Sequence, residues 1–156
     1  METAYIKTAL EIAKIVGDED GITVISVSDE GIVSSTIPMV LQEAVSQLND
    51  YFEGKRTDFT FKLNPSGTEF QQKDWKGLLK IPFGKTMSYL ELSKKLGDVK
   101  AIRAVASANG KNPLWIVVPC HRVIGTDGSL TGYAGGLWRK KWLLEHEHPT
   151  TQQSLF

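Results

Sequence analysis

The stretch Val118-Pro119-Cys120-His121-Arg122-Val123 contains the only cysteine among the 156 residues of the chain. It ends the apolar run 114–118, which predicts a buried strand that stops at Pro119, because proline cannot donate to a sheet ladder. Cys120 would then stand at the mouth of that strand. A lone cysteine is commonly a small buried hydrophobe, whereas a reactive thiol needs an accessible, electropositive site. The adjacent histidine and arginine favour the reactive thiol.

Charge is divided unevenly along the chain, although the formal net charge is zero. Residues 1–65 hold 5 Lys and Arg against 11 Asp and Glu, a balance of −6, whereas residues 66–156 hold 13 against 7, a balance of +6. The basic half contains Cys120. This asymmetry predicts that the second half meets a polyanion. The alternative is that the two halves attract each other.

Cysteine usage and hydropathy indicate the compartment. One cysteine excludes an intramolecular disulfide and a zinc site of several thiolates, and a free thiol is typical of a reducing cytoplasm or nucleus. The sequence shows neither a signal-peptide pattern nor an apolar run of membrane-spanning length. We therefore expect a soluble, cytoplasmic protein, or a nuclear one in a eukaryote, that does not engage a membrane.

The first 65 residues predict a small domain of strands and one helix. Alternation over 8–16 and 22–27, with turn residues between, predicts a β-hairpin, and further short strands are predicted over 32–35 and 59–63. Helical spacing after Pro38 predicts a helix that ends before Gly54. The break at 64–67 predicts a domain boundary. We expect an N-terminal domain over 1–65, a C-terminal domain over 66–150 and a flexible tail over 151–156.

The second half predicts mostly helices. Thr68 is a candidate N-cap, and Ser88 with Glu91 has the spacing of a capping box. The helix that begins at Ser88 stops at Gly97, and a second helix follows over 98–108, so the pair predicts a helix-turn-helix. A last helix is predicted over 137–146.

The second helix of that pair is rich in small residues, from which Lys100 and Arg103 project. Small side chains let a helix backbone approach a partner closely. They are equally typical of a tightly packed core helix, and the composition does not decide between the two.

Ordered blocks of the second half resemble the O6-alkylguanine-DNA alkyltransferases, also called methylated-DNA–protein-cysteine methyltransferases. The resemblance runs from Gly67 to about Glu147. Its blocks are Gly67-Thr68-Glu69-Phe70-Gln71, Ile81-Pro82-Phe83-Gly84-Lys85-Thr86, Ser88-Tyr89, Arg103-Ala104-Val105, Asn112-Pro113, Pro119-Cys120-His121-Arg122-Val123, Gly135-Gly136 and Leu143-Leu144-Glu145-His146-Glu147. It implies an α/β (α+β) fold, in which a small ribonuclease-H-like domain precedes a mostly helical domain with a winged-helix-like helix-turn-helix.

The resemblance also implies a reaction. Cys120 would take the alkyl group irreversibly from O6-alkylguanine, and from O4-alkylthymine, in duplex DNA, one lesion per molecule, after the damaged nucleotide is flipped out of the stack. His121 would be the base that acts through water, and Glu147 would orient its imidazole. The alternative for Glu147 is a solvated charge at a helix end. We expect no cofactor and no metal.

Further positions are assigned by the same resemblance. Arg103 matches an intercalating arginine, with a phosphate contact as the alternative. Tyr89 matches a tyrosine that pushes on the target phosphate and hydrogen-bonds the flipped base, with a core tyrosine as the alternative. The second helix would enter the minor groove. The other implied positions are Lys100 and Ala104 at the DNA, Asn112 at a hinge, Arg122 as a structural brace, and Tyr133, Ala134, Gly135, Gly136 and Lys140 at the alkyl-binding lid.

The sequence also shows two departures from the family pattern and a second motif in the tail. Trp115 and Ala134 depart from what many members carry near the pocket, so methyl transfer is implied but tolerance of bulky adducts is not. Residues 152–156 (Gln-Gln-Ser-Leu-Phe) resemble the peptide by which bacterial repair proteins dock on the replication sliding clamp. We expect a monomer.

Two other classes of function fit parts of the sequence. A lesion-binding protein that only recruits other repair factors would need no cysteine, and the family's non-catalytic relatives replace it. A thiol hydrolase or peptidase built on Cys120 and His121 would turn over repeatedly on acyl substrates. It would leave the basic helix around Arg103 without a purpose.

Overall fold

The computed structural model describes residues 1–130, 133 and 135–148. The fold is mixed α/β, as predicted, and its chain divides into two compact units. The first comprises Met1–Ser66 together with Pro113–Val117, and the second comprises Gly67–Asn112 and the described residues between Val118 and His148. The segment 113–117 therefore leaves the C-terminal region to which the sequence assigned it. In the described ranges, no helix is long and apolar enough to cross a membrane.

The sheet of the first unit has three antiparallel strands in the order β1 (Glu2–Thr8), β2 (Glu11–Asp18) and β3 (Gly21–Ser28). The prediction of a single hairpin was wrong at its N-terminal end. The chain already reverses between Thr8 and Glu11, which face each other across the β1–β2 pair. The two residues in that turn, Ala9 and Leu10, are neither glycine, proline nor asparagine, so composition gives no turn signal there.

Helix α1 (Met39–Phe52) follows Pro38 as predicted and buries an apolar stripe, with Leu41, Leu48 and Tyr51 fully covered. It packs on β1 and β2. The predicted strands over 32–35 and 59–63 do not form. From the second of them, only Leu63 makes an isolated parallel bridge, to Ile22.

The apolar run before Cys120 is not a strand, which corrects the prediction. Leu114 makes an isolated parallel bridge with Ile25 of β3, and Trp115 N donates to the Ile25 carbonyl at 2.9 Å. The backbone then turns, because Ile116 has φ 71° and Val117 N donates to the Trp115 carbonyl at 2.8 Å. All residues of 114–118 are buried. The run is apolar because all of its residues are buried. Its burial pattern therefore lacks the alternation of buried and exposed residues that is typical of a strand.

The second unit holds the remaining elements. These are α2 (Glu69–Leu78), β4 (Met87–Ser88), α3 (Tyr89–Lys95), α4 (Ile102–Gly110), β5 (Val123–Ile124) and α5 (Leu137–Glu147). β4 and β5 pair in parallel. Helices α3 and α4 form the predicted helix-turn-helix: Gly97 has φ 96°, which favours glycine, and Asp98 N reaches back to the Ser93 carbonyl at 3.0 Å. A 3-10 turn, Val99–Ala101, precedes α4.

Both predicted caps are present. Thr68 Oγ1 accepts from Gln71 N at 3.1 Å, and Ser88 Oγ accepts from Glu91 N at 3.0 Å. In each case the third residue of the helix accepts a hydrogen bond in return: Thr68 N donates to Gln71 Oε1 at 2.9 Å, and Ser88 N donates to Glu91 Oε1 at 3.1 Å. These reciprocal bonds fix where α2 and α3 begin.

We expect Ser88→Ala to lower the free energy of unfolding by about 1 kcal/mol, because the first turn of α3 loses its side-chain acceptor. Urea denaturation followed by circular dichroism measures this change. Ser107→Ala, an exposed position within α4, is the control and should change stability little. Equal effects of the two substitutions would contradict the role of the cap.

Candidate active site

Cys120 opens a single 3-10 turn, Cys120–Arg122, and is partly exposed. The Asn112 amide holds this turn: its Nδ2 donates to the Val118 carbonyl at 2.7 Å and to Cys120 Sγ at 3.4 Å. Asn112 and Val118 border the segment that leaves for the first unit. The Asn112 side chain thus links the two ends of the segment 113–117 and also contacts the thiol.

His121, Arg122 and Glu147 form a buried cluster. His121 Nε2 and Glu147 Oε2 are 2.8 Å apart, and both side chains are 0% exposed. Arg122 binds the same carboxylate twice, from Nε to Oε1 at 2.8 Å and from Nη2 to Oε2 at 3.0 Å. Its Nη1 donates to the Ile81 carbonyl at 2.7 Å. Glu147 is therefore not a solvated helix-end charge, and Arg122 is tied to it as firmly as His121 is.

The charges in this cluster follow from burial and pairing. Burial alone would raise the pKa of Glu147, but the hydrogen bonds and charges of His121 and Arg122 outweigh it and hold that pKa well below its usual range. Burial lowers the pKa of His121, against the opposing effect of Glu147. We infer a neutral imidazole beside an ionised carboxylate at neutral pH.

This ionisation fixes the tautomer of His121. A carboxylate can only accept, so Nε2 carries the hydrogen and Nδ1 carries the lone pair. Nδ1 is buried and has no hydrogen-bond partner in the described part of the chain. His121, the residue after Cys120, thus has a basic nitrogen, Nδ1, and Glu147 fixes the orientation of its imidazole ring.

Burial raises the pKa of the Cys120 thiol, while the Asn112 hydrogen bond and the charge of Lys140 lower it. Lys140 is itself 0% exposed, and burial lowers its pKa. The structure thus places Lys140 within electrostatic range of the thiol, which the sequence alone did not show. Cys120 rests as a thiol that needs a proton acceptor to become a nucleophile.

Helix α4 presents one packed face and one exposed face. Val105, Ala108 and Asn109 are buried, whereas the predicted DNA-binding residues Arg103 and Ala104 are exposed, as is Lys100 in the 3-10 turn before the helix. This arrangement decides between the two interpretations left open by its composition: only one side is core. The other side is a thin, accessible surface that carries the cation of Arg103.

The remaining predicted residues are located as follows. Tyr89 is half-buried at the first position of α3. Tyr133 and Gly135 precede α5, where Gly136 N donates to the Tyr133 carbonyl at 2.9 Å and Arg139 Nη1 donates to the Gly135 carbonyl at 2.8 Å. Ala134 and the tail 152–156 lie outside the described residues.

The structure also gives the position of Trp115 and of the side chains that could bind a metal ion. Trp115 belongs to the first unit, where its ring centroid is 6.2 Å from that of Phe52. Among residues 1–130, 133 and 135–148, no group of three or more His, Cys, Asp and Glu side chains is placed to hold a metal ion.

Asp74 is a buried ionisable residue that the sequence analysis missed. Asp74 is 0% exposed in the middle of α2. It lies four residues from Phe70 and four from Leu78, so it occupies a place on the apolar stripe of that helix. A carboxylate at a position of the apolar stripe was the signal in the sequence that could have identified Asp74 as buried.

Family models and known relatives match most of the chain. Residues 1–65 match the family described as "6-O-methylguanine DNA methyltransferase, ribonuclease-like domain", and residues 69–149 match "6-O-methylguanine DNA methyltransferase, DNA binding domain". A methylated-DNA–protein-cysteine methyltransferase of Methanosarcina mazei is 45% identical over 150 residues, which cover 91% of this chain and 94% of the relative. One of Mycobacterium bovis is 54% identical over 110 residues, 70% of this chain and 67% of the relative.

A solved structure is similar over nearly the whole chain. The crystal structure of Mycobacterium tuberculosis OGT in complex with DNA has a TM-score of 0.88 and 42% identity, over 96% of this chain and 94% of that one. The family resemblance drawn from the sequence is confirmed by these matches. The chain belongs to the 6-O-methylguanine DNA methyltransferase family, the methylated-DNA–protein-cysteine methyltransferases.

Proposed function

We propose that this protein repairs O6-alkylguanine, and O4-alkylthymine, in duplex DNA by transferring the alkyl group to Cys120 in a single turnover. Cys120 Sγ attacks the alkyl carbon, an S–C bond forms, and the C–O bond to the base breaks. The thiol loses its proton and the restored guanine, which stays in the DNA, gains one. The exchange therefore balances without a cofactor. The observation that carries the proposal is the buried cluster of His121 and Glu147 beside Cys120, a residue that is itself half-buried.

His121 acts as the general base. Its Nδ1 lone pair receives the thiol proton through a bridging water, while Glu147 keeps the hydrogen on Nε2 and stabilises the imidazolium that forms. Lys140 stabilises the thiolate by its charge. Asn112 keeps the sulfur in place during the transfer.

DNA binding uses the exposed face of α4 in the minor groove. O6 of guanine is inside the base stack, so the damaged nucleotide must be flipped, at a cost of a few kcal/mol. Arg103 fills the space that it leaves, and Tyr89 guides the phosphate and the base. Lys100 and the small surface at Ala104 meet the backbone of the duplex. Such contacts carry little sequence information, which suits damage that occurs anywhere.

The test is the intact mass of the protein after incubation with a duplex that contains O6-methylguanine. We expect a gain of one methylene mass that saturates at one per protein, maps to Cys120 and is absent from Cys120→Ala and with undamaged duplex. Lesion-selective binding without a mass gain would instead favour the recognition protein. Repeated turnover on acyl substrates would favour the thiol hydrolase.

We expect Arg103→Ala to reduce the rate of methyl uptake from duplex DNA on the order of 10-fold, since one lost DNA contact costs about 1–3 kcal/mol. Transfer from the free base O6-methylguanine should be unchanged, because no nucleotide has to be flipped. Lys7→Ala removes the same charge from an exposed position of β1 and serves as the control. Equal losses in the two variants would point to net charge rather than to intercalation.

Two further assignments complete the proposal. The tail 152–156 docks on a sliding clamp, and deleting these five residues should abolish clamp binding while methyl uptake continues. Binding that survives the deletion, or that is absent in the intact protein, refutes the assignment. The free Cys120 thiol favours the reducing cytoplasm as the place of action, and we propose that the protein works there as a monomer.

A further inference from the structure

Helix α2 holds the C-terminal end of α4 with two adjacent side chains. Trp75 Nε1 donates to the Ala108 carbonyl at 2.9 Å. In the orientation that satisfies both side chains, the Asn109 amide nitrogen donates to Asp74 Oδ2 at 2.5 Å and Oδ1 at 3.1 Å. Asp74 is 0% exposed and Asn109 is 5% exposed, so this pair is shielded from water.

The end of α4 leads directly to the thiol. Asn112 N donates to the Asn109 carbonyl at 3.2 Å, and the Asn112 side chain binds the Val118 carbonyl and Cys120 Sγ. A shift of Asn109 would therefore move the backbone that carries Asn112. The path from Asp74 to the sulfur consists of one side-chain pair, one turn of backbone and one amide.

The charge of Asp74 also reaches the sulfur. When ionised, Asp74 raises the pKa of Cys120, whereas the charge of Lys140 lowers it. Burial raises the pKa of Asp74 itself to about 7. The neighbouring lysines of α2, Lys73 and Lys76, are exposed. The Asn109 amide has both a donor and an acceptor, so it can bind the carboxyl group in either protonation state.

We propose that Asp74 is a positioning residue for the transfer reaction, which fixes the end of α4 through Asn109 and so places Asn112 on Cys120. The inference rests on the proposed function for its effect on methyl uptake. Its effect on the thiol can be measured without DNA.

The test compares Asp74→Asn, which keeps a partner for Asn109 but no charge, with Asp74→Leu, which keeps neither. Glu145→Gln, at an intermediate-exposure position of α5, is the charge-matched control. The first readout is the rate of Cys120 alkylation by iodoacetamide as a function of pH. We expect the Asp74→Leu profile to move to higher pH, because a displaced Asn112 amide no longer lowers the pKa of the Cys120 thiol. The Asp74→Asn and Glu145→Gln profiles should stay close to that of the wild type.

The second readout is methyl uptake from damaged duplex, at a temperature where each variant is folded. We expect Asp74→Asn to match or exceed the wild type and Asp74→Leu to be slower by about 10-fold or more, since a misplacement of about 1 Å can cost about 100-fold. An alkylation profile of Asp74→Leu that coincides with that of Asp74→Asn, or equal uptake by the two variants, overturns the inference. A wild type that takes up no methyl group refutes the proposed function instead, and the alkylation profile still tests Asp74.

Discussion

Replacing Glu147 with alanine is expected to lower the free energy of unfolding by about 3–5 kcal/mol, the usual cost of removing one partner from a buried ion pair. Glu147 accepts three hydrogen bonds or close contacts, two from Arg122 and one from His121. Its removal leaves the Arg122 guanidinium, which is 6% exposed, without a carboxylate. Urea denaturation at pH 7 measures the loss.

Glu145→Ala provides the matched control two residues away on the same helix. Its ion pair with Lys141 is long, at 3.9 Å, and the two side chains are 41% and 68% exposed. We expect a change within about 0.5 kcal/mol. A Glu147→Ala variant no less stable than Glu145→Ala would show that the cluster contributes no net stability.

The same cluster predicts how stability depends on pH. The pKa values of His121 and Glu147 are both lower in the folded protein than their usual values of 6.5 and 4.5. On acidification the unfolded chain therefore binds protons before the folded one does, and stability falls as the pH drops below about 6.5, and again below about 4.5. In Glu147→Ala the loss below pH 4.5 should be much smaller.

Replacing His121 with alanine is expected to slow methyl uptake at neutral pH by about 100-fold to 10,000-fold, the usual contribution of a general base. The reason is that burial raises the pKa of the Cys120 thiol, so few molecules hold a thiolate without help. Single-turnover uptake, followed by intact mass at several pH values, measures the effect. The deficit should shrink at alkaline pH, as a growing fraction of the Cys120 thiol ionises without a base.

His146→Ala is the control for this experiment. His146 stacks on Trp142, with ring centroids 4.8 Å apart, and lies on the same helix as Glu147. Its loss should leave the rate at neutral pH close to that of the wild type. Because His121 is fully buried, the melting temperature of each variant is needed to confirm that slow uptake is not unfolding. A folded His121→Ala with the wild-type rate would remove His121 from the reaction.

The parts of the fold that were predicted correctly are those fixed by neighbours in sequence. The caps at Thr68 and Ser88 depend on residues three positions apart, and both are present. The prediction of a strand over 114–118 was wrong because the apolar residues of this segment indicate only that it is buried. The turn at Ile116 depends on pairing with Ile25, which is distant in sequence.

The candidate site divides in the same way. The adjacency of Cys120 and His121 is visible in the sequence, and the family motif brings in Glu147. The double hydrogen bond from Arg122 to Glu147 and the pairing of Asp74 with Asn109 depend on helix packing, which no local pattern encodes. Nor does spacing reveal that Lys140 is enclosed close to the thiol.

Glu147 is the last residue of α5, and this position has a consequence for motion. Helix ends normally fray, so their backbone amides exchange hydrogen with the solvent quickly. Here the final residue is anchored by Arg122, which also binds the Ile81 carbonyl. Local opening of that end would separate His121 from its carboxylate while the rest of the unit stays folded. The end of α5 should therefore exchange as slowly as the middle of a helix.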